Sequence, residues 1–253
     1  MTALRSSALP VLLVLPALIG LPLGGGPERP IKYVPIDDTA IAITFDACAT
    51  RTQSYTFDRP VFETLKREGV PATIFVSGRW VEGHPDVMVE LSASPLIEFG
   101  DHSYDHPHMP ELSPPQMAME VDQTEAALAR FGKHGIAFRP PYGEWNVDVL
   151  QMLERKGLPP VLWDFPSGDP SAGSTAASIV RTVVKKTRPG SILIFHINGR
   201  GWKTAEAMPS VISELRQRGF RFVRLSEMLA ARPSAPARPL SRPPVFDPLV
   251  PAR

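Results

Sequence analysis

The chain has 253 residues, enough for one large α/β domain, and its 43% hydrophobic content is ordinary for a globular fold. Its 27 Lys and Arg balance 26 Asp and Glu, so no global field draws it to nucleic acid or to an anionic membrane surface. The single cysteine, Cys48, excludes an intrachain disulfide framework and leaves the compartment open.

The elements in chain order begin with Arg5, an apolar run over residues 8–23 and three glycines, Gly24 to Gly26. This pattern predicts a signal peptide over residues 1–26 and hence an exported, periplasmic or extracellular protein. Pro10, Pro16 and Pro22 would make the run a poor permanent membrane helix. An uncleaved amino-terminal anchor and a flexible cytosolic extension are the alternatives. Residues 27–37 read as a linker, residues 38–231 as the folded domain, and residues 232–253, rich in proline, as an extended or disordered tail.

Between linker and tail, short β-branched runs alternate with longer stretches of helical period, the pattern of a parallel sheet with crossover helices. Strands are expected at residues 41–45, 72–76, 96–99, 136–138, 161–163, 191–195 and 220–223. Helices are expected at residues 60–68, 85–91, 114–130, 146–156, 175–186 and 205–218. Ser113 and Asn146 are capping candidates, and Gly69, Gly132, Gly157 and Gly219 are placed to end helical runs in a left-handed conformation.

The reactive side chains follow the strands. Asp46 comes after the first, Asp101, His102 and His106 after the third, Arg139 and Tyr142 after the fourth, Asp164 and Asp169 after the fifth, His196 after the sixth. In a closed barrel of parallel strands those ends share one face, where such barrels place their active sites. His102 and His106 have a spacing that suits a divalent, zinc-like ion, although such pairs also occur without metal. Asp46, at the edge of a buried strand, suits a general base; capping of the following turn is the commoner role of a lone aspartate.

Five ordered motifs carry a resemblance. They are T-F-D-A at residues 44–47, H-S-Y-D-H at 102–106, R-P-P-Y-G at 139–143, W-D-F-P-S-G-D at 163–169 and I-F-H at 194–196. Together they resemble the NodB-homology polysaccharide deacetylases, a carbohydrate esterase family, over roughly residues 38–230. The resemblance implies a distorted (β/α) barrel of about seven parallel strands and a divalent metal, usually zinc. It also implies hydrolysis of an N-acetyl or O-acetyl group on a sugar polymer. Carried over by position, Asp46 is the base that deprotonates the attacking water, and His102 and His106 are metal ligands. Arg139 orients Asp46, the backbone N–H of Tyr142 stabilises the oxyanion, and His196 protonates the leaving amine.

The chain departs from the family pattern at Ala47, at Pro166, at Pro170 in place of the usual tryptophan and at Ile197 where an acidic residue often follows the histidine. The second aspartate of the first motif, a metal ligand, is replaced by Ala47, which implies a weakened or altered site. Asp46, Asp101 and Cys48 are the candidates for a replacement donor, alongside a site of two histidines and water. In the fourth motif Pro166 stands where the family has the aspartate that supports the histidine, so Asp164 is assigned that role, with Asp169 as the other possibility. Tyr142, Trp145 and Trp202 are expected to bind sugar rings, and Trp163 to pack in the core.

These features give a metal-assisted deacetylase of a cell-envelope or extracellular polysaccharide, with an acetylated glycan as its partner and no obligatory protein partner. A non-catalytic glycan-binding homologue and a related amidohydrolase acting on a small non-sugar amide are the competing readings.

Overall fold

In the computed structural model residues 29–232 are described, apart from 37 and 54. The expected signal segment and almost all of the proline-rich tail lie outside them. No helix among the described residues is long and apolar enough to cross a membrane.

At the centre is β1 (Ala40–Ala47), buried along its whole length and parallel to every strand it pairs with. The sheet runs β3 (Ile97–Asp101), β2 (Ala72–Val76), β1, β4 (Ile192–His196), and the short β5 (Arg221–Phe222) pairs with the beginning of β1. A strand covered on both faces must be apolar on both, which explains the near-continuous hydrophobic runs. The two faces nonetheless differ. Ile41, Ile43, Phe45 and Ala47 enter the large core shared with the helices, whereas Ala40 and Ala42 enter a second cluster with Phe75, Val161 and Ile192, inside the barrel. Thr44 and Asp46 continue this inner row, because alternate strand residues share a face.

The helices are α1 (Arg59–Glu68), α2 (Gly78–Gly83), α3 (Pro85–Ala93), α4 (Pro114–Ala129), α5 (Val147–Lys156), α6 (Ala176–Lys186), α7 (Thr204–Gln217) and α8 (Leu225–Ala230). Asn146 caps α5 by accepting from the Val149 N–H at 2.9 Å, and Ser113 forms a capping box with Gln116. Gly69, Gly132, Gly157 and Gly219 all take positive φ, as their positions predict. Two short helices had no sequence signal. In α8, Leu225 and Met228 plug the inner cluster, and Glu98 accepts from the N–H and hydroxyl of Ser226 at 3.0 and 2.5 Å.

Two expected strands are absent as strands. Residues 136–138 and 161–163 contribute isolated bridges: Phe138 to Asp101 and Pro160, and Val161 to Ile31. Pro140 and Pro141 come soon after the first and Pro159 and Pro160 precede the second, and these prolines lack the N–H groups that would extend either segment into a longer ladder. The circuit from β3 back to β4 therefore runs through these bridges, through the Asp164 N–H to the Ile192 carbonyl at 3.0 Å, and through a bridge from Pro166 to Ile194. Five regular strands plus these bridges replace the expected seven strands in the distorted barrel.

The expected linker is also corrected in part. Ile31 and Val34 are buried in the inner cluster, and Ile31 hydrogen-bonds to Pro160 and Leu162 on its two sides. Residues 31–34 thus belong to the barrel, because burying these two aliphatic side chains removes apolar surface from water.

Candidate active site

The site is a cavity of about 240 Å³ at the carboxyl ends of β1 and β4, lined by Asp46, His102, His106, Tyr142, His196 and Arg200 among others. A larger groove between α6 and α7, about 590 Å³, has no histidine, and its wall is mixed apolar and charged helix surface.

Asp46 and His196 are register partners on adjacent parallel strands, so their side chains leave the sheet on the same face at the same level. Below Asp46, Arg139 is fully buried. It donates to Asp46 Oδ1 at 2.7 Å, to Thr44 Oγ1 at 2.8 Å and to the Leu162 carbonyl at 3.3 Å. Its guanidinium lies 3.9 Å from the centroid of Phe75. That ring fits only because its register partner is Gly100, where a Cβ would come within 2.3 Å of it. Burial alone would raise the Asp46 pKa, but Arg139 foremost, with a contribution from His196, holds it below the usual carboxylate range.

His196 is oriented by Asp169. Asp169 Oδ1 lies 3.0 Å from His196 Nδ1, and Oδ2 accepts the His196 backbone N–H at 2.6 Å. Ser167 and Thr204 hydroxyls complete the carboxylate's partners at 3.0 and 2.8 Å. Burial works against the imidazolium, yet Asp169 and then Asp46 outweigh it and raise the His196 pKa. The assignment of Asp164 to this support is corrected. Asp164 pairs with Arg188 and Ser191, and its N–H bonds at the level of Ile192, four residues before His196. At about 3.3 Å per residue that is ~13 Å too low in the barrel.

His102 and His106 stand edge to face with ring centroids 4.8 Å apart. His102 Nδ1 donates to the Arg139 carbonyl at 2.6 Å, which leaves the Nε2 lone pair free, 3.6 Å from Asp46 Oδ2. His106 Nδ1 is buried without a partner. Burial lowers the pKa of both, His106 to about 3, so both rings are neutral, the state a metal requires. Free lone pair, orphaned nitrogen and neutral rings fit a divalent cation. A third donor is lacking: among the described residues no group of three His, Cys, Asp or Glu is placed to hold a metal ion. Ala47 faces the core. Asp101 follows Ile97 and Phe99 on the helix-facing side of β3, where burial raises its pKa well above normal. Cys48 is held by Asn198, and burial pushes its thiol up to about 12.

Of the aromatic residues, Tyr142 is half-exposed at the rim with φ 59°, its ring edge-on to His106 and stacked on His108 at 4.3 Å. A bulky residue held in that conformation is a strained backbone position of the kind found at functional sites. Trp202 is 63% exposed and its N–H donates to the Asp169 carbonyl at 3.2 Å. Trp145 packs against the cluster of Met109, Met117, Phe138 and Val149 and is absent from the cavity wall, which corrects its place among the sugar-binding residues. Trp163, expected in the core, lines the cavity instead. Arg200 and Thr204 carried no motif signal, and Ser167 lay inside the fourth motif without an assigned role.

The polysaccharide deacetylase family profile matches residues 34–161. A peptidoglycan-N-acetylglucosamine deacetylase of Bacillus cereus is 30% identical over 199 residues, 78% of this chain and 91% of the relative. A chitooligosaccharide deacetylase of Rhizobium leguminosarum bv. trifolii is 29% identical, covering 76% and 93%. Among solved structures, a family 4 carbohydrate esterase from Streptomyces lividans with acetate bound superposes with a TM-score of 0.65 at 28% identity, covering 78% of this chain and 97% of that one. A pseudoenzyme of that family from Bacillus anthracis shares the fold, with a TM-score of 0.72 at 22% identity over 81% and 70% of the two chains. Motif order, barrel and profile agree, and the chain belongs to the polysaccharide deacetylase family.

Proposed function

We propose that the protein hydrolyses N-acetyl groups on an acetylated cell-envelope polysaccharide, with peptidoglycan as the favoured substrate. The observation that carries this reading is the register pairing of Asp46 with His196, one group held ionised and the other favoured in its protonated form on one face of the sheet. The names of the bacillary relatives support peptidoglycan, and the apolar segment over residues 8–23 supports an exported protein.

Asp46 accepts a proton from the attacking water while Arg139 keeps its carboxylate ionised and fixed. The water oxygen adds to the acetyl carbon, and the backbone N–H of Tyr142 donates to the resulting oxyanion. His196 then gives its proton to the sugar nitrogen as the carbon–nitrogen bond breaks, because an expelled amide anion is too basic to leave unaided. Acetate and a free amine result. His102 and His106 would hold the divalent metal, zinc by ligand type, which when bound lowers the pKa of water to about 7 and polarises a carbonyl.

Acetate release from peptidoglycan, chito-oligosaccharides and acetylated xylan, measured for the wild type and Asp46→Asn, tests the proposal. Ala47 favours a second reading, a glycan-binding protein without catalysis. Retained sugar binding with no acetate from any polymer would establish that one.

A further inference from the structure

Arg200 lies in the turn after β4, on the wall of the same cavity. The turn is tightly set. The Arg200 N–H donates to Asn198, whose amide in turn donates to the Cys48 carbonyl at 2.8 Å. Gly199 has φ 82°, and a Cβ on Gly201 would lie 2.1 Å from Thr204 Oγ1 and 2.8 Å from Asp169 Oδ2. Neither glycine tolerates a side chain, so the backbone presenting Arg200 is pinned against the machinery of His196.

The charges of the cavity do not cancel. Asp46 is paired with Arg139 at 2.7 Å and Asp169 with His196 at 3.0 Å. Arg200 is left over. Among the described residues its guanidinium has no carboxylate or carbonyl partner, only the ring of Tyr55 at 5.8 Å, a contact that orients it without neutralising it. A planar fork of N–H donors, unpaired on the wall that also carries Asp46 and His196, is suited to bidentate capture of a carboxylate.

We infer that Arg200 binds a carboxylate on the sugar that carries the scissile acetamide or on its neighbour, so that the site selects an anionic glycan over a neutral one. A lactyl ether carboxylate and a uronic acid both supply that chemistry. This inference rests on the deacetylase reading for its substrate, and names the glycan class within it.

The test compares three substrates bearing the same acetyl group. They are the neutral N-acetylglucosamine pentamer, glycan strands of alternating N-acetylglucosamine and N-acetylmuramic acid stripped of peptide, and the same strands with carboxylates converted to amides. A polyuronate oligosaccharide added as competitor separates the two carboxylate sources, inhibiting only if uronates are also captured. Arg200→Gln is expected to raise KM about tenfold for the carboxylated strands, the loss of one charge-assisted hydrogen bond, with kcat nearly unchanged. The pentamer and the amidated strands should show no such change, and Arg200→Lys should recover part of the loss. An equal KM effect on all three substrates, or none on any, overturns the inference while leaving the deacetylase reading intact. Conversely, Arg200-dependent calorimetric binding of carboxylated strands without acetate release would sink the deacetylase reading and leave the anion site standing.

Discussion

Asp169 holds His196 at two points, accepting its backbone N–H at 2.6 Å while the other carboxylate oxygen lies 3.0 Å from its ring Nδ1. One side chain thereby fixes both the strand end and the imidazole, and sets which nitrogen faces the cavity.

The pH profile follows from this pair. With His196 as the proposed acid, which must be protonated to act, activity should fall as pH rises through its pKa, which Asp169 raises above the ordinary histidine value. Asp169→Asn removes the negative charge, and the alkaline limb of kcat should move to lower pH, with kcat at neutral pH reduced about tenfold or more. Asp164→Asn is the contrast. Its partners are Arg188 and Ser191, and it should leave the pH profile in place.

Arg139 and Asp46 form a buried pair in which each partner makes the other's charge tolerable. Arg139→Met should destabilise the fold by about 3–5 kcal/mol, because it leaves an uncompensated carboxylate inside the barrel. The sign with pH is fixed by the lowered pKa of Asp46: its contribution to stability is present above the unfolded carboxylate pKa and lost as pH falls through the folded one. In the Arg139→Met variant that dependence should weaken or reverse, which denaturant titration from about pH 2 to about pH 7, a range that spans the folded and unfolded carboxylate pKa values, would reveal.

Gly100 makes room for Phe75, whose ring in turn supports Arg139. Gly100→Ala should cost about 1–3 kcal/mol by overpacking. Displacement of the ring should also lower kcat more than it changes KM, since the shift reaches Asp46 through Arg139.

The metal site is expected to be weak and to depend on two residues. Zinc should be lost on dialysis against a chelator, and His102→Ala or His106→Ala should abolish zinc binding measured by calorimetry. Ala47→Asp places a carboxylate in the helix-facing core and should lower Tm without metal. If the carboxylate swings to the histidines, added zinc restores Tm and tightens binding; if it does not, both stay low.

Much of this architecture is legible in the sequence because strands and caps are local. The run ending at Asp46, the histidine pair after β3, Arg139 after Phe138 and His196 at the end of β4 all carry their positions with them, and the structure brings them into one cavity. What stays hidden depends on distant partners. Asp164 and Asp169 both follow the same segment, and only the level at which that segment meets β4 decides which carboxylate reaches His196. Phe138 and Val161 have strand composition, but flanking prolines reduce their ladders to bridges. α2 and α8, six residues each, are too short for a helical period to show. Arg200 sits in an unremarkable glycine turn, and its unpaired charge is visible only once the other charges in the cavity have found partners.

The most direct test of the account is acetate release from peptide-free peptidoglycan strands by the zinc-reconstituted protein, with the loss of acetyl mass from the sugar followed alongside. The expected result is turnover by the wild type, reduced about 10²–10⁴-fold in both Asp46→Asn and His196→Gln. Acetate release that survives either substitution undiminished would contradict the pairing of base and acid on which the proposed chemistry stands.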